Sequence, residues 1–311
     1  MSVVLEPIAE FYRVVLNPMQ PFTGLAGMPV SLLDIAACFR LCMALRQIRE
    51  GLRAKHDERV AAGVEVRKVE ERSFVREALA TLVVVYGGEA ITAPYLQEIP
   101  SFMVSGAFPL LYVVMQAWVE VMQNVPPMSL GSELPLALVD GMTRAYLLCS
   151  LIPPAVVGHS SAAISESPWT LLLSSLIVAN GGFLLINMFN LLHPYEIFLS
   201  TPPELQPYGW TTTDIWIAPL ITGLYATLTH AQPYWSALHY SALGWTGAVS
   251  VGENGVASIA AVDPEIARAA CAVILAGVFS VRTYKNFAAV GAQKKPQKAS
   301  VSAPSEKVKT Q

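Results

Sequence analysis

The sequence predicts an all-α polytopic membrane protein with seven transmembrane helices. Hydrophobic residues make up 53% of the 311-residue chain and charged residues only 14%, a balance typical of membrane proteins. The apolar residues form continuous runs of about 20 residues, which is the length of helix that crosses a bilayer core. These runs lack the strict alternation of apolar and polar positions found in β-barrel strands, so a barrel is disfavoured.

The predicted chain has three parts. Residues 1–28 form an N-terminal segment that lacks the basic start of a cleaved signal and carries Glu6 and Glu10 instead. Residues 29–290 form the transmembrane domain, and residues 291–311 form a polar tail that we expect to be disordered. The stretch 236–261 is predicted to be a loop because it is rich in Gly, Ser and Thr. The seven spans are expected near residues 29–47, 77–97, 101–123, 134–157, 168–192, 211–230 and 266–287.

The placement of basic residues predicts the topology. Of the 20 Lys and Arg residues, nine lie between Arg46 and Arg76 and seven between Arg282 and Lys309. The positive-inside rule puts both clusters in the cytosol, which requires an even number of crossings between them, and six spans satisfy it. The N-terminus is therefore predicted to be lumenal and the C-terminus cytosolic. The basic stretch 49–76 is either a solvated helical extension or a site for anionic lipid.

Enzymatic chemistry, a metal site and nucleic-acid binding are not predicted. The five histidines show no metal-ligand spacing, and no Ser/His/Asp or Cys/His set falls at one depth of the membrane. We therefore expect no catalytic residue and no metal ligand. The cysteines fall inside predicted spans and are interpreted as small packing residues: Cys38, Cys42, Cys149 and Cys271.

Two predicted spans each carry a glycine pair beside a polar residue. They are Gly87-Gly88 before Glu89, and Gly181-Gly182 after Asn180. One interpretation is a pair of broken helices around a shared site, and the other is close helix packing. Glu89 has two interpretations as well, because a carboxylate within a span is either functional or a paired structural acid.

The first six spans also look like two related groups of three. The first span of each group carries an acid followed by an arginine, Asp34 with Arg40 and Asp140 with Arg144. Because each group has an odd number of crossings, the two would lie in the membrane in opposite orientations as inverted repeats, with the seventh span added outside. Asp140 and Arg144 are four residues apart, so they are either a structural ion pair on one helical face or charges with a function inside the membrane.

The order and spacing of these pieces resemble the trimeric intracellular cation channels, or TRIC channels. The resemblance runs from about residue 34 to residue 287. Its specific part consists of Val85-Tyr86-Gly87-Gly88 with the following Pro94, the charged fourth span from Leu134 to Leu147 with Arg144, and the stretch Leu176 to Phe189 around Gly181-Gly182.

The resemblance implies a function. Residues 29–290 would be a seven-helix channel domain in which each protomer has its own pore between the inverted repeats, and three protomers would form a homotrimer. Potassium and other monovalent cations would pass through this pore. The glycine pairs would shape the pore wall, and Arg144 would contact an anionic phosphoinositide among the membrane lipids. No other cofactor is implied.

The chain departs from the family at two positions. Asp140 replaces a second basic residue of the fourth helix, and Asn180 replaces a lysine beside the glycines. An Asp140–Arg144 pair is nearly neutral and would hold a phosphoinositide less strongly than two cations. Loss of the lysine lowers the barrier to a cation, and Glu89 adds an attractive charge.

The sequence therefore favours a monovalent cation (potassium) channel of an intracellular membrane. The alternative is an inverted-repeat secondary transporter coupled to protons or sodium, which Glu89, Asp140 and broken helices would equally suit. A seven-span receptor ranks lower because it leaves the charges and the repeat unexplained. Lys307 and Lys309 resemble a dilysine retrieval signal, which favours the endoplasmic reticulum.

Overall fold

The computed structural model describes residues 2–19, 29–206, 212–246 and 259–293, and the regular elements in these ranges are helical. Shorter helical turns connect the long helices. The helices of at least 14 residues in the described part are α1 (Ser2–Val15), α2 (Leu32–Ala61), α3 (Phe74–Leu96), α4 (Ala107–Val121), α5 (Leu130–Tyr146), α6 (Pro168–Met188), α7 (Thr213–Thr229), α8 (Pro233–Thr246) and α9 (Pro264–Gln293).

Each of the seven predicted segments overlaps one of these helices. Within the described residues, four helices are long and apolar enough to cross a bilayer: α3, α5 extended to Val157, α6, and α9 as far as Ala288. The prediction of an all-α, multi-pass membrane protein is confirmed at this level. α4 is apolar, but its 15 residues make only about 22 Å of helix. α2 is long but carries basic residues along much of its length.

Three boundaries differ from the prediction. α8 begins at Pro233, where proline suits the first turn of a helix, and it takes in residues 236–246 of the stretch predicted as a loop. The N-terminal segment contains α1, and α9 continues three residues beyond 290, to Gln293. The rest of the predicted tail, with Lys307 and Lys309, lies outside the described residues, and so does Glu253-Asn254-Gly255.

α5 does not end at Tyr146 but continues through a π-helical turn, Leu147–Leu151, into a last turn, Ile152–Val157. Pro153 and Pro154 follow the π-helical turn. Proline lacks the N–H that the regular α-helical pattern needs, so consecutive prolines disturb the ladder locally. The hydroxyl of Thr222 in α7 donates to the Leu148 carbonyl at 3.2 Å. The irregular turn is therefore tied to a neighbouring helix.

Two groups of three helices make the same pattern of contacts. α4 packs against both α2 and α3, and α7 packs against both α6 and the last turns of α5. α6 crosses α3 and joins the two groups, while α9 lies along α5 and α1 packs on α9. The crossing of α3 and α6 is therefore the main contact between the groups.

α3 and α6 run antiparallel. At one end Arg76 of α3 donates to the carbonyls of His193 and Tyr195, at 3.0 and 2.8 Å, just beyond the end of α6. At the other end His159, before α6, contacts the Leu96 carbonyl at 2.9 Å. α7 starts at the Arg76 end, and its first turn is tied to Arg282 of α9 through an ion pair. Both basic clusters therefore approach the same end of the bundle. The location of this end in the cytosol stays a prediction.

The cysteines pack in the interior, as predicted. All four are free and buried. The largest buried apolar cluster lies mainly among α5, α6, α7 and α9 and includes Tyr12 of α1, its largest fully buried side chain. The next largest are Leu148, Leu171, Ile217, Ile221 and Leu275. The side chain of Cys271 in α9 belongs to this cluster, and so does that of Cys149. This core holds the second helix group and α9 together.

Candidate functional site

The two glycine pairs face each other where α3 crosses α6. A Cβ atom added to Gly181 would lie 2.8 Å from the Cα of Gly88, and one added to Gly87 would lie 3.1 Å from the Cα of Gly182. Both helices continue unbroken through these glycines. The prediction of paired broken helices is therefore wrong, because the missing side chains are used to bring two backbones into contact. Close packing, the other interpretation, is confirmed, while a place in a pore wall stays a prediction.

Glu89 is a paired acid that caps a neighbouring turn. Its carboxylate accepts hydrogen bonds from the backbone N–H and the hydroxyl of Ser101, the latter at 2.8 Å. Ser101 begins the helical turn Ser101–Val104 that follows α3, and a carboxylate at that position satisfies a free backbone donor. Tyr86, one turn before Glu89, has a buried hydroxyl with no partner among the described residues. The attraction of cations by Glu89 stays a prediction.

Arg40 joins the first helices of the two groups. Its guanidinium donates to Glu133 at 2.7 Å and to Asp140 at 3.2 and 3.3 Å. Asp140 therefore pairs with α2, and the predicted Asp140–Arg144 pair is wrong. The physical reason is geometric, because the guanidinium reaches both oxygens of Asp140 from the facing helix. Asp34 caps α2 through Ser31, with its carboxylate 2.6 Å from the hydroxyl, and is not the partner of Arg40.

Arg144 binds backbone instead of a carboxylate. Its guanidinium donates to the carbonyl of Ala179 in α6, and it makes no ion pair with a described residue. Ala179 directly precedes Asn180, whose amide donates to the Leu176 carbonyl of its own helix at 2.9 Å. An arginine and the second glycine pair are therefore neighbours, although neither the Arg144–Ala179 contact nor the internal bond of Asn180 was predicted.

An ion cluster that the sequence did not predict lies where the middle of α2 meets the start of α3 and the end of α4. Arg49 of α2 pairs with Glu77 of α3 at 3.1 Å and also with Glu120 of α4. Arg72, before α3, contacts the same two carboxylates at 3.1 and 3.3 Å. Gln116 extends the cluster inward by donating to Glu120 at 2.6 Å. The available signal was an acid at the end of each of two apolar runs, close to a basic stretch.

Two histidines form a hydrogen bond at the other end of the bundle. Nε2 of His230, which caps the end of α7, lies 2.8 Å from Nδ1 of His239 in α8. Burial and the nearby His230 lower the pKa of His239 below the ordinary histidine value of 6.5. No group of three or more His, Cys, Asp or Glu residues suited to a metal occurs in the described ranges.

The histidine pair predicts that acid weakens the contact between α7 and α8. The hydrogen bond needs one N–H and one free nitrogen, so it is lost when both rings are protonated. Since the pKa of His239 is lowered in the folded state, its contribution to stability is fully present above about pH 6.5, the unfolded value, and is lost as the pH falls further, through the lower pKa of the folded state. Amide hydrogen exchange in α8, corrected for intrinsic rates, should be faster at acidic pH. In His239→Phe this pH dependence should disappear, and an unchanged profile would contradict the assignment.

Comparisons with known proteins give no relative for this chain. No family model, no curated protein and no solved structure matches it. The function is therefore inferred from the side-chain contacts described above and from the resemblance of the sequence motifs to those of TRIC channels.

Proposed function

We propose that the chain is a monovalent cation channel, permeable to potassium, of an intracellular membrane. In this proposal seven helices span the bilayer, the two helix groups are inverted repeats, and each protomer conducts between them. Four span-length apolar helices and the repeated contact pattern of α2 to α4 and α5 to α7 support it.

The observation that carries the proposal is a surplus of negative charge between the first helices of the two groups. Glu133 and Asp140 share the single guanidinium of Arg40. Ionisable side chains inside a membrane bundle are costly, and rings or clusters of carboxylates are what attract cations into a pore. The charge lies between the two groups, which is where the resemblance to TRIC channels puts the pore.

The crossing of α3 and α6 limits where ions could pass. Backbone atoms of the glycine pairs are too close there for any ion to fit between the helices. The proposed path therefore runs beside the crossing, along the side lined by α2 and α5, and the glycine pairs serve as its closely packed wall. Arg144 contributes one positive charge to that side.

Several finer features belong to the same proposal and come from the resemblance. They are assembly into a homotrimer, contact of Arg144 with an anionic phosphoinositide or another anionic lipid, and residence in the endoplasmic reticulum. Since Asp140 is bound by Arg40, it does not neutralise Arg144, which leaves a single cation for a lipid phosphate. That favours weak, rather than absent, binding of the lipid.

A secondary transporter coupled to protons or sodium is the second candidate. One observation favours it: a buried oxygen of Glu133 has no hydrogen-bond partner in the described ranges, so it is available to a coupling ion. Purified protein in planar bilayers distinguishes the candidates. Unitary potassium currents of picoampere size require a continuous pore, whereas coupled tracer flux without such currents would establish a transporter.

Glu89→Gln tests the predicted cation-attracting charge. At about 6 Å in water, one unit charge changes the local cation concentration roughly threefold, so potassium conductance at low salt should fall by up to that factor. The matched control is Glu98→Gln, an exposed acid nine positions along the chain, which should change conductance less. Equal currents in wild type and Glu89→Gln would remove Glu89 from the pore.

A further inference from the structure

Glu133 and Asp140 lie on one face of α5, because seven residues make about two helical turns. Arg40 of α2 contacts both, with Nη2 at 2.7 Å from Glu133 Oε2 and at 3.2 Å from Asp140 Oδ2. The side chains of Arg40, Glu133 and Asp140 are 15%, 10% and 31% exposed. The three groups therefore form a largely desolvated cluster, which we call the α2–α5 charge cluster.

The α2–α5 charge cluster is not balanced. Two carboxylates face one guanidinium, so one negative charge is in excess. Glu133 Oε1 and Arg40 Nη1 are both buried without a hydrogen-bond partner among the described residues. Leaving such atoms unpaired is costly, and a purely structural ion pair would match one acid to one base. The free oxygen of Glu133 therefore points to a positively charged ligand.

Arg40 is well suited to leave the cluster. It comes from α2, which packs mainly against α4, and it reaches across to α5. Its planar guanidinium is a cation on a long, flexible stem, so the charge can move without a shift of the helix. After such a movement the two carboxylates would remain on α5 with no cation between them.

We propose that Glu133 and Asp140 form a binding site for a monovalent cation, and that Arg40 occupies this site as a tethered ligand. The guanidinium that lies between the two carboxylates carries a single positive charge, so a free cation that replaces it without changing the net charge of the cluster is monovalent. A part in conduction rests on the proposed function, since a permeating cation would then have to displace Arg40. The binding site itself does not depend on conduction.

Binding is tested by replacing the tethered ligand with a free one. Arg40→Ala should unfold at a lower temperature than wild type, and guanidinium chloride at millimolar concentration should restore part of the loss. A free ligand at ten times its dissociation constant raises the unfolding temperature by roughly 3 °C in a chain of this size. Sodium chloride at equal ionic strength is the reference. If Arg40→Ala does not fold, Arg40→Gln removes the charge while keeping part of the aliphatic stem and a polar end.

Two further variants make the rescue specific. In Arg40→Ala combined with Glu133→Gln and Asp140→Asn, guanidinium should give no rise beyond that of sodium chloride. The matched control is Arg282→Ala, because Arg282 is also partly sheltered but pairs with Asp214 alone. A rise confined to Arg40→Ala supports the site. Equal rises in all variants, or no rise in folded Arg40→Ala, would overturn it.

Currents separate this inference from the proposed function. If the site lies in the conducting path, Arg40→Ala should carry a larger potassium current than wild type, and millimolar guanidinium should block that current. If guanidinium raises the unfolding temperature of Arg40→Ala but has no effect on the current, the site is supported and lies outside the conducting path. A wild-type protein without current would contradict the channel, while the unfolding experiment would still decide the site.

Discussion

Replacing Gly182 by alanine should lower the free energy of unfolding by about 3 kcal/mol or more, because the new methyl group has no space. The added Cβ would collide with the Val84 carbonyl and lie 2.6 Å from the Val83 carbonyl, both of them backbone atoms of α3. Backbone cannot rotate away as a side chain can, so α3 and α6 must separate. Thermal or chemical unfolding of the purified protein measures the loss.

Gly51→Ala is the matched control for this change. Gly51 lies inside α2, and an added Cβ would meet nothing within 4 Å. Alanine there should stabilise the protein by about 0.5–1 kcal/mol, since it costs less backbone entropy in a helix than glycine does. Destabilisation of similar size in both variants would show that alanine acts through helix propensity and not through the crossing.

The glycine pairs show which part of the site could be predicted from the sequence and which could not. Their presence at matching places in two spans was enough to predict that they act together, and they do meet. What they do there was beyond the sequence, because adjacent glycines permit both a break in a helix and close contact between helices. The partner helix decides between these outcomes, and Gly88 against Gly181 is a contact between residues far apart in the chain.

Charge pairing was predicted less well than helix position. Each predicted span overlaps a helix, since apolar run length is a local property. Asp140 was assigned to Arg144 on local spacing, whereas its partner is Arg40, one hundred positions away. Ion pairs between helices depend on which faces meet, and one sequence does not specify that. α8 was missed for another reason, because a mildly apolar stretch with small residues suits a loop as well as a short helix.

Replacing Arg49 by methionine should also have a large effect, for an electrostatic reason. Arg49 is 10% exposed and pairs with Glu77 and Glu120, which are 9% and 15% exposed. Removing one partner of a buried ion pair leaves an uncompensated charge and costs about 3–5 kcal/mol. Arg72 still contacts both acids, so we expect the lower end of that range.

Two comparisons identify the cause of the loss. Arg53→Met, one helical turn further along α2, removes an arginine that makes no ion pair with a described residue, and should change stability by less than about 0.5 kcal/mol. Adding Glu120→Gln to Arg49→Met should recover part of the stability, because it removes one of two carboxylates that are left to share the single cation Arg72. Methionine keeps the apolar stem of the arginine, so lost packing cannot account for a difference between positions 49 and 53. Equal losses at the two positions would mean that the ion cluster around Arg49 contributes no more to stability than a solvated surface charge does.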